Sequence, residues 1–134
     1  MKILGIESSC DDTSAALLEC SKGGCFVLRE FTASQINIHK KYGGVVPEIA
    51  GRMHAEKIIP LIEEITKGKK PDAIAVASGP GLITGLIVGV EAARTLSAGW
   101  RIPVARVNHM AGHIYSVEIG KNKIVYPALA MIVS

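Results

Sequence analysis

The sequence predicts an α/β fold built on a mixed sheet, with elements in the order β-β-β-α-β-α-β-α. Three observations carry that reading. Apolar runs at Lys2–Glu7, Thr13–Cys20 and Cys25–Phe31 are separated by short polar turns, the pattern of a meander. Beyond them, apolar residues recur at helical intervals over two long segments. Compact runs at Asp72–Ala77 and Ile102–Val107 interleave with those segments and suit strands buried on both faces.

In chain order, Lys2–Glu7 alternates as a first strand and runs into Ser8-Ser9-Cys10-Asp11-Asp12, a turn by composition. The loop Tyr42–Val46 feeds a helix in which Pro47 takes the first position, where a missing N–H costs nothing. From Glu48 to Thr66 the stripe Ile49, Met53, Ile58, Ile62 and Ile65 reads as core packing, and Pro60 is expected to kink or split the helix. Lys67–Pro71 is a solvated charged turn, and Ser78-Gly79-Pro80-Gly81 closes the next strand. Thr84 is expected to cap a helix to about Gly99, with Leu86, Val90, Ala93 and Leu96 on its apolar side. Gly85 and Gly89 lie one turn apart and open a groove for the close approach of another backbone. After Ile102–Val107 a short helix is expected to reach about Glu118, followed by a basic turn at 121–123 and a final strand over 128–134.

A chain of 134 residues has room for one hydrophobic core. Its mean hydropathy of +0.33 and 49% apolar content are high for that size, which implies a face covered by another lobe or subunit. A net charge of +3 permits contact with RNA without demanding it. No run approaches the roughly 18 apolar residues of a membrane span, and no long apolar stretch follows Met1, so a soluble, cytoplasmic protein is expected. Cys10, Cys20 and Cys25 are odd in number and form no CxxC pair, and reduced thiols are the simpler reading beside a Cys20–Cys25 hairpin disulfide.

The chemistry concentrates in two places. His109 and His113, four residues apart on a helix, share one face and can reach a single ion, at the end of a strand where open α/β sheets bind ligands. Zinc and iron both accept neutral imidazole, and such sites need a further protein ligand. Spacing alone equally suits a capping His109 and a surface His113. The second place is the hairpin after Glu7. Ser8, Ser9 and Cys10 are candidates to hold phosphate oxygens, and Asp11 and Asp12 are candidate catalytic carboxylates. Read alone, the same residues make an ordinary polar hairpin. The turn at Ser78–Gly81 lacks the GKS or GKT of a P-loop and reads as structural. His39 and His54, the latter flanked by Arg52 and Lys57, read as surface or capping residues.

Four stretches occur in order: Ile6-Glu7-Ser8-Ser9-Cys10-Asp11-Asp12-Thr13, Tyr42-Gly43-Gly44-Val45-Val46-Pro47-Glu48-Ile49-Ala50, Ser78-Gly79-Pro80-Gly81-Leu82 and His109-Met110-Ala111-Gly112-His113. Together they resemble the amino-terminal half of the TsaD/Gcp family, whose archaeal and eukaryotic members are the catalytic subunit of KEOPS. The resemblance implies a ribonuclease-H-like lobe of the actin/Hsp70 ATPase (ASKHA) superfamily over residues 1–126. Residues 127–134 would then open a second lobe. It implies transfer of threonylcarbamoyl from threonylcarbamoyl-AMP to N6 of adenosine 37 of tRNA. His109 and His113 would ligate one divalent iron or zinc ion, shared with an aspartate of the second half. Ile132, Val133 and Ser134 would begin the motif that binds the adenylate, or ATP. The expected partners are tRNA and a TsaB-like paralogue or KEOPS subunits, docked through helices of this lobe, or a second copy of the chain, with no membrane involvement.

Two other functions bear on the same residues. A noncatalytic interaction module would use the Gly85/Gly89 groove, but the family's noncatalytic paralogue shares the GPG-x-x-TG pattern and lacks the paired histidines. A metalloprotease would place a general base between the histidines, as HExxH does, where Met110, Ala111 and Gly112 stand here. Two histidines without the aspartate make a weak metal site, so the 134-residue chain by itself is expected to have no transferase activity.

Overall fold

The computed structural model describes residues 1–120 and 123–132. Strands β1 (Lys2–Glu7), β2 (Asp12–Ser21) and β3 (Gly24–Ser34) form the expected antiparallel meander. β4 (Ala73–Gly79) then pairs parallel to β1, and β5 (Val104–Asn108) parallel to β4. The five-stranded sheet therefore runs β3-β2-β1-β4-β5. A four-residue helix, α1 (Ile36–His39), and a 3-10 turn at Lys40–Tyr42 precede α2 (Pro47–Thr66), α3 (Ile83–Trp100) and α4 (His109–Tyr115). The order of strands and main helices is the one read from the sequence; α1 is additional.

α2 and α3 cover one face of the sheet. The core there is Leu4 and Ile6 of β1, Ala15 and Leu17 of β2, Ile74 and Val76 of β4, Ile58, Leu61, Ile62 and Ile65 of α2, and Ala93 of α3. Alternation along β1 and β2 sends every second side chain into this layer, as a period of two requires. α2 runs unbroken through Pro60, contrary to the expected split. Pro60 and Glu56 are exposed, so the Glu56 carbonyl that loses its i+4 donor faces water, which can supply one. Thr84 lies inside the first turn of α3 instead of capping it; the hydroxyl donates to the Pro47 carbonyl at 2.9 Å and ties α3 to the start of α2.

Three further expectations are corrected. Gly85 and Gly89 do not open outward. Both are buried against the end of β1, where a Cβ on Gly85 would overlap the Ser8 carbonyl oxygen and one on Gly89 the Ser8 hydroxyl. The close approach is made within the lobe. Cys20 and Cys25 are not free thiols: they stand directly opposite across the β2–β3 turn, Cα atoms 4.1 Å apart, and are joined as a disulfide. Residues 128–132 form no strand, and Leu129 is 98% exposed. A strand gains its hydrogen bonds only from a neighbour, and this segment has no ladder partner among the described residues. Of the positions read as a basic turn and a final strand, 121, 122, 133 and 134 lie outside the described residues.

Candidate metal-ligand pair at the carboxyl ends of the parallel strands

β1, β4 and β5 are parallel and end at the same edge, with Glu7, Gly79 and Asn108 as their last residues. The Asn108 side chain caps α4 by accepting from the Ala111 N–H at 3.1 Å, so His109 is the first helical residue rather than the cap. β1 and β5 are two strand spacings apart, about 9.6 Å. The intervening strand finishes in the small residues Ala77, Ser78 and Gly79, and across this low point the Glu7 and His109 side chains meet.

His109 Nδ1 lies 2.9 Å from Glu7 Oε2 and 3.2 Å from the Ser9 hydroxyl. The other carboxylate oxygen, Glu7 Oε1, accepts from the Ser9 backbone N–H at 2.5 Å. One helical turn along, His113 places its Nε2 3.1 Å from Nε2 of His109, with the rings edge-to-face and their centroids 4.5 Å apart. Two nitrogens each about 2.0–2.1 Å from one zinc ion, at angles near 95–110°, stand about 3.0–3.4 Å apart. The pair is thus preset at the separation that two ligands of one ion require. Among the described residues, no group of three or more His, Cys, Asp or Glu side chains is arranged to hold a metal.

Burial pushes the Glu7 carboxyl up, but hydrogen bonds from the Ser9 side chain, from His109 and from the Ser9 backbone outweigh it and leave the group below its ordinary value of 4.5. Glu7 is therefore a carboxylate at neutral pH. Beside the pair, a cleft of about 500 Å³ opens over the uncovered face of the sheet, with Gly5, Ala16, Ala75 and Val107 on its floor and His113 and Tyr115 on its wall.

The hairpin hydroxyls are turned inward, away from the phosphate-holding role. Ser8 is fully buried and donates to the Gly85 carbonyl at 3.0 Å, and Ser9 is 3% exposed with its hydroxyl on His109. Cys10 is exposed, and burial of its sulfur together with hydrogen bonding and charge from Asp11 pushes its thiol above the ordinary value of 9.0. Cys10 is thus a poor nucleophile at neutral pH. Its rate of alkylation by iodoacetamide should keep rising beyond pH 9, and Asp11→Asn should speed alkylation at pH 8 several-fold. A rate at pH 8 that Asp11→Asn leaves unaltered would show that Asp11 does not raise the thiol. Asp12, at the start of β2, keeps Oδ1 buried with no hydrogen-bond partner among the described residues. Ile132 lies in the irregular segment and is 39% exposed, and Val133 and Ser134 fall outside the described residues.

His39 and His54 are not surface residues. His54 is fully buried on the inner face of α2, with Nε2 donating to the Cys10 carbonyl at 3.1 Å and Nδ1 accepting from the Thr13 hydroxyl at 2.8 Å. It clamps both ends of the hairpin. His39 accepts from the Val46 N–H at 3.2 Å and faces the Gln35 side-chain oxygen at 3.0 Å. The charged neighbours Arg52 and Lys57 are exposed and disguise the burial of His54 in the sequence. By sequence Glu7 reads as the acid that ends a strand before a phosphate-handling hairpin, and not as a partner of His109. Its place as the last residue of a strand parallel to β5 is the one signal that could have found it.

The chain is 48% identical to the tRNA N6-adenosine threonylcarbamoyltransferase of Bacillus subtilis, over 100% of its own length and 39% of the relative's. It is 43% identical to the protein of that name from Anaeromyxobacter, over 100% and 41%, and 47% to that of Pediococcus pentosaceus, over 98% and 39%. The chain thus spans about 40% of the length of the curated relatives it matches. Among solved structures, YeaZ from Pseudomonas aeruginosa superposes with a TM-score of 0.58 at 23% identity, over 86% of this chain and 48% of that one. RuvC from Thermus thermophilus does so with 0.56 at 14%, over 87% and 66%. These likenesses establish the ribonuclease-H-like fold and nothing more. The TsaD family, described as tRNA N6-adenosine threonylcarbamoyltransferase, matches residues 26–134, and the chain belongs to that family.

Proposed function

We propose that this chain is the amino-terminal part of a transferase that moves threonylcarbamoyl from threonylcarbamoyl-AMP to N6 of adenosine 37 in tRNA. The observation that carries the reading is the convergence of His109 Nε2 and His113 Nε2, 3.1 Å apart, in a chain 43–48% identical to relatives that bear this activity in their names. His109 and His113 would hold one divalent ion, iron or zinc, with a further ligand contributed from outside the described residues. Such an ion supplies Lewis acidity toward the acyl carbonyl of the donor.

The chain's own residues then have definable work. With an ion bound, His109 and His113 would both turn the lone pair of Nε2 to it; without one, the 3.1 Å contact is a hydrogen bond between the two rings. Glu7 and Ser9 hold the ring of His109. Asp11 and Asp12 stand side by side where β2 begins, and either would orient the adenosine amine or take the proton it loses on acyl transfer. The hairpin that carries these carboxylates is held by His54 from within. Its hydroxyls serve the framework of the site, and phosphate is bound elsewhere, in the cleft that the second lobe closes. Residues 127–132 would gain a ladder partner there, and with it the strand that the lobe alone cannot support.

The high apolar content of the lobe fits a partner. α2 and α3 expose Ile59, Ile83 and Ile87 at 43%, 71% and 56%, and a TsaB-like or KEOPS subunit docked on these helices would cover them. Among the described residues no helix is long and apolar enough to cross a membrane. A tRNA-modifying role would be carried out in the cytoplasm.

The test is in vitro modification. A protein carrying this chain at the length of its relatives, loaded with metal and supplied with its partner, threonylcarbamoyl-AMP and unmodified tRNA, should yield the modified nucleoside by mass spectrometry. The 134-residue chain by itself should yield none. Product from the short chain, or peptide hydrolysis in place of tRNA modification by the long one, would overturn the reading.

A further inference from the structure

We infer that Glu7 is a positioning residue for the histidine pair: it fixes the proton of His109 on Nδ1 and thereby leaves Nε2 free to bind an ion. The inference rests on the metal reading above and adds a residue to it. Glu7 stands at the end of β1, more than a hundred residues away from α4 in sequence, and both of its oxygens are committed. Oε1 is held by the Ser9 N–H at 2.5 Å, which fixes the carboxylate in one orientation. Oε2 then lies 2.9 Å from His109 Nδ1. A carboxylate has no proton to give, so Nδ1 must carry the proton and donate it. A neutral imidazole has only one N–H, and Nε2 is left as a lone pair aimed at the point that His113 also faces.

This contact changes what His109 can do. An unassisted imidazole in water prefers its proton on Nε2, the atom that must be bare to bind a metal. A carboxylate behind the ring reverses that preference, fixes the ring plane and raises the basicity of the far nitrogen. The Ser9 hydroxyl, 3.2 Å from the same Nδ1, supports the arrangement from the side. Among the described residues no comparable acceptor faces the other ring nitrogen of His113, so the two histidines are unequal: one is set before an ion arrives and the other adjusts to it.

The experiment uses the 134-residue chain and Zn2+. Two-dimensional imidazole 15N spectra of the metal-free chain report directly which nitrogen of His109 carries the proton, and a Zn2+ titration on the same resonances gives the affinity. The wild type should show Nδ1–H. Glu7→Ala should move His109 toward Nε2–H and weaken Zn2+ binding about ten- to hundredfold, and Glu7→Gln, which keeps a neutral acceptor, should fall between. If Glu7→Ala loses its circular dichroism signature, Glu7→Gln decides alone. An Nε2–H proton in the wild type, or one tautomer and one affinity shared by the wild type and both variants, overturns the assignment. His113→Ala separates the two levels: Zn2+ binding that survives it unchanged overturns the metal reading, whatever the tautomer of His109.

Discussion

His113→Ala in a full-length, metal-loaded protein should lower tRNA modification about a thousandfold and remove most of the bound metal, with little change in melting temperature. The size follows from what the residue would be doing. A Lewis acid at the reacting carbonyl is worth several kcal/mol of the barrier, and each 1.36 kcal/mol is a factor of ten in rate. The absence of a folding cost follows from position. His113 is an exposed residue of the seven-residue helix α4, and among the described residues its side chain hydrogen-bonds only to His109. Alanine is the best helix former, and exposed substitutions of this kind stay within about 0.5 kcal/mol. Metal content, melting temperature and turnover measured on one preparation decide it. Full activity with metal lost would remove the ion from the chemistry, and a collapse of the melting temperature would assign His113 to the framework.

The same geometry explains which parts of the molecule could be read from sequence. Periodicity exposes an element whenever one face is apolar and the other is not, so β1, β2, α2, β4, α3 and β5 were all visible, in order. The paired histidines were visible because a spacing of four is itself a statement about one helix face. What stayed hidden was every contact that depends on two distant elements meeting. Glu7 acquires its meaning only when β1 and β5 are known to end together with a strand of small residues between them. His54 looks solvated beside Arg52 and Lys57, and only its place one turn from Ala50 and Ile58 puts it inside. The Cys20–Cys25 bridge depends on register, since a shift of one residue would turn the two sulfurs to opposite faces of the hairpin. The run 128–132 has the composition of a strand, but composition cannot provide the neighbour that a strand needs.

Gly85→Ala should destabilise the lobe by about 3 kcal/mol, lowering the melting temperature by about 10 °C, and Gly89→Ala should do so by less, since the atom in its way is the Ser8 hydroxyl and not backbone. The sequence suggests that both glycines open a groove for a partner, the structure packs them inside the lobe, and the two arrangements predict opposite results. An outward groove would accept a methyl group with little effect on the isolated chain and a large effect on association. In the packed arrangement a Cβ on Gly85 would overlap the Ser8 carbonyl oxygen and stand 3.0 Å from His54 Nε2. Neither neighbour can yield freely. Ser8 is backbone at the end of the central strand, and His54 is pinned between Thr13 and Cys10. Gly99, in the last turn of the same helix with open space around its Cβ direction, is the control. There alanine should be neutral or stabilising by up to about 1 kcal/mol, because only the helix propensity changes. Ser8 adjoins Glu7, so relief of the overlap at Gly85 would move the carboxylate that holds His109. Gly85→Ala should therefore also weaken Zn2+ binding in whatever fraction remains folded, while Gly99→Ala leaves it unchanged. Equal melting temperatures for all three variants would return the glycines to the surface and free the hairpin from α3.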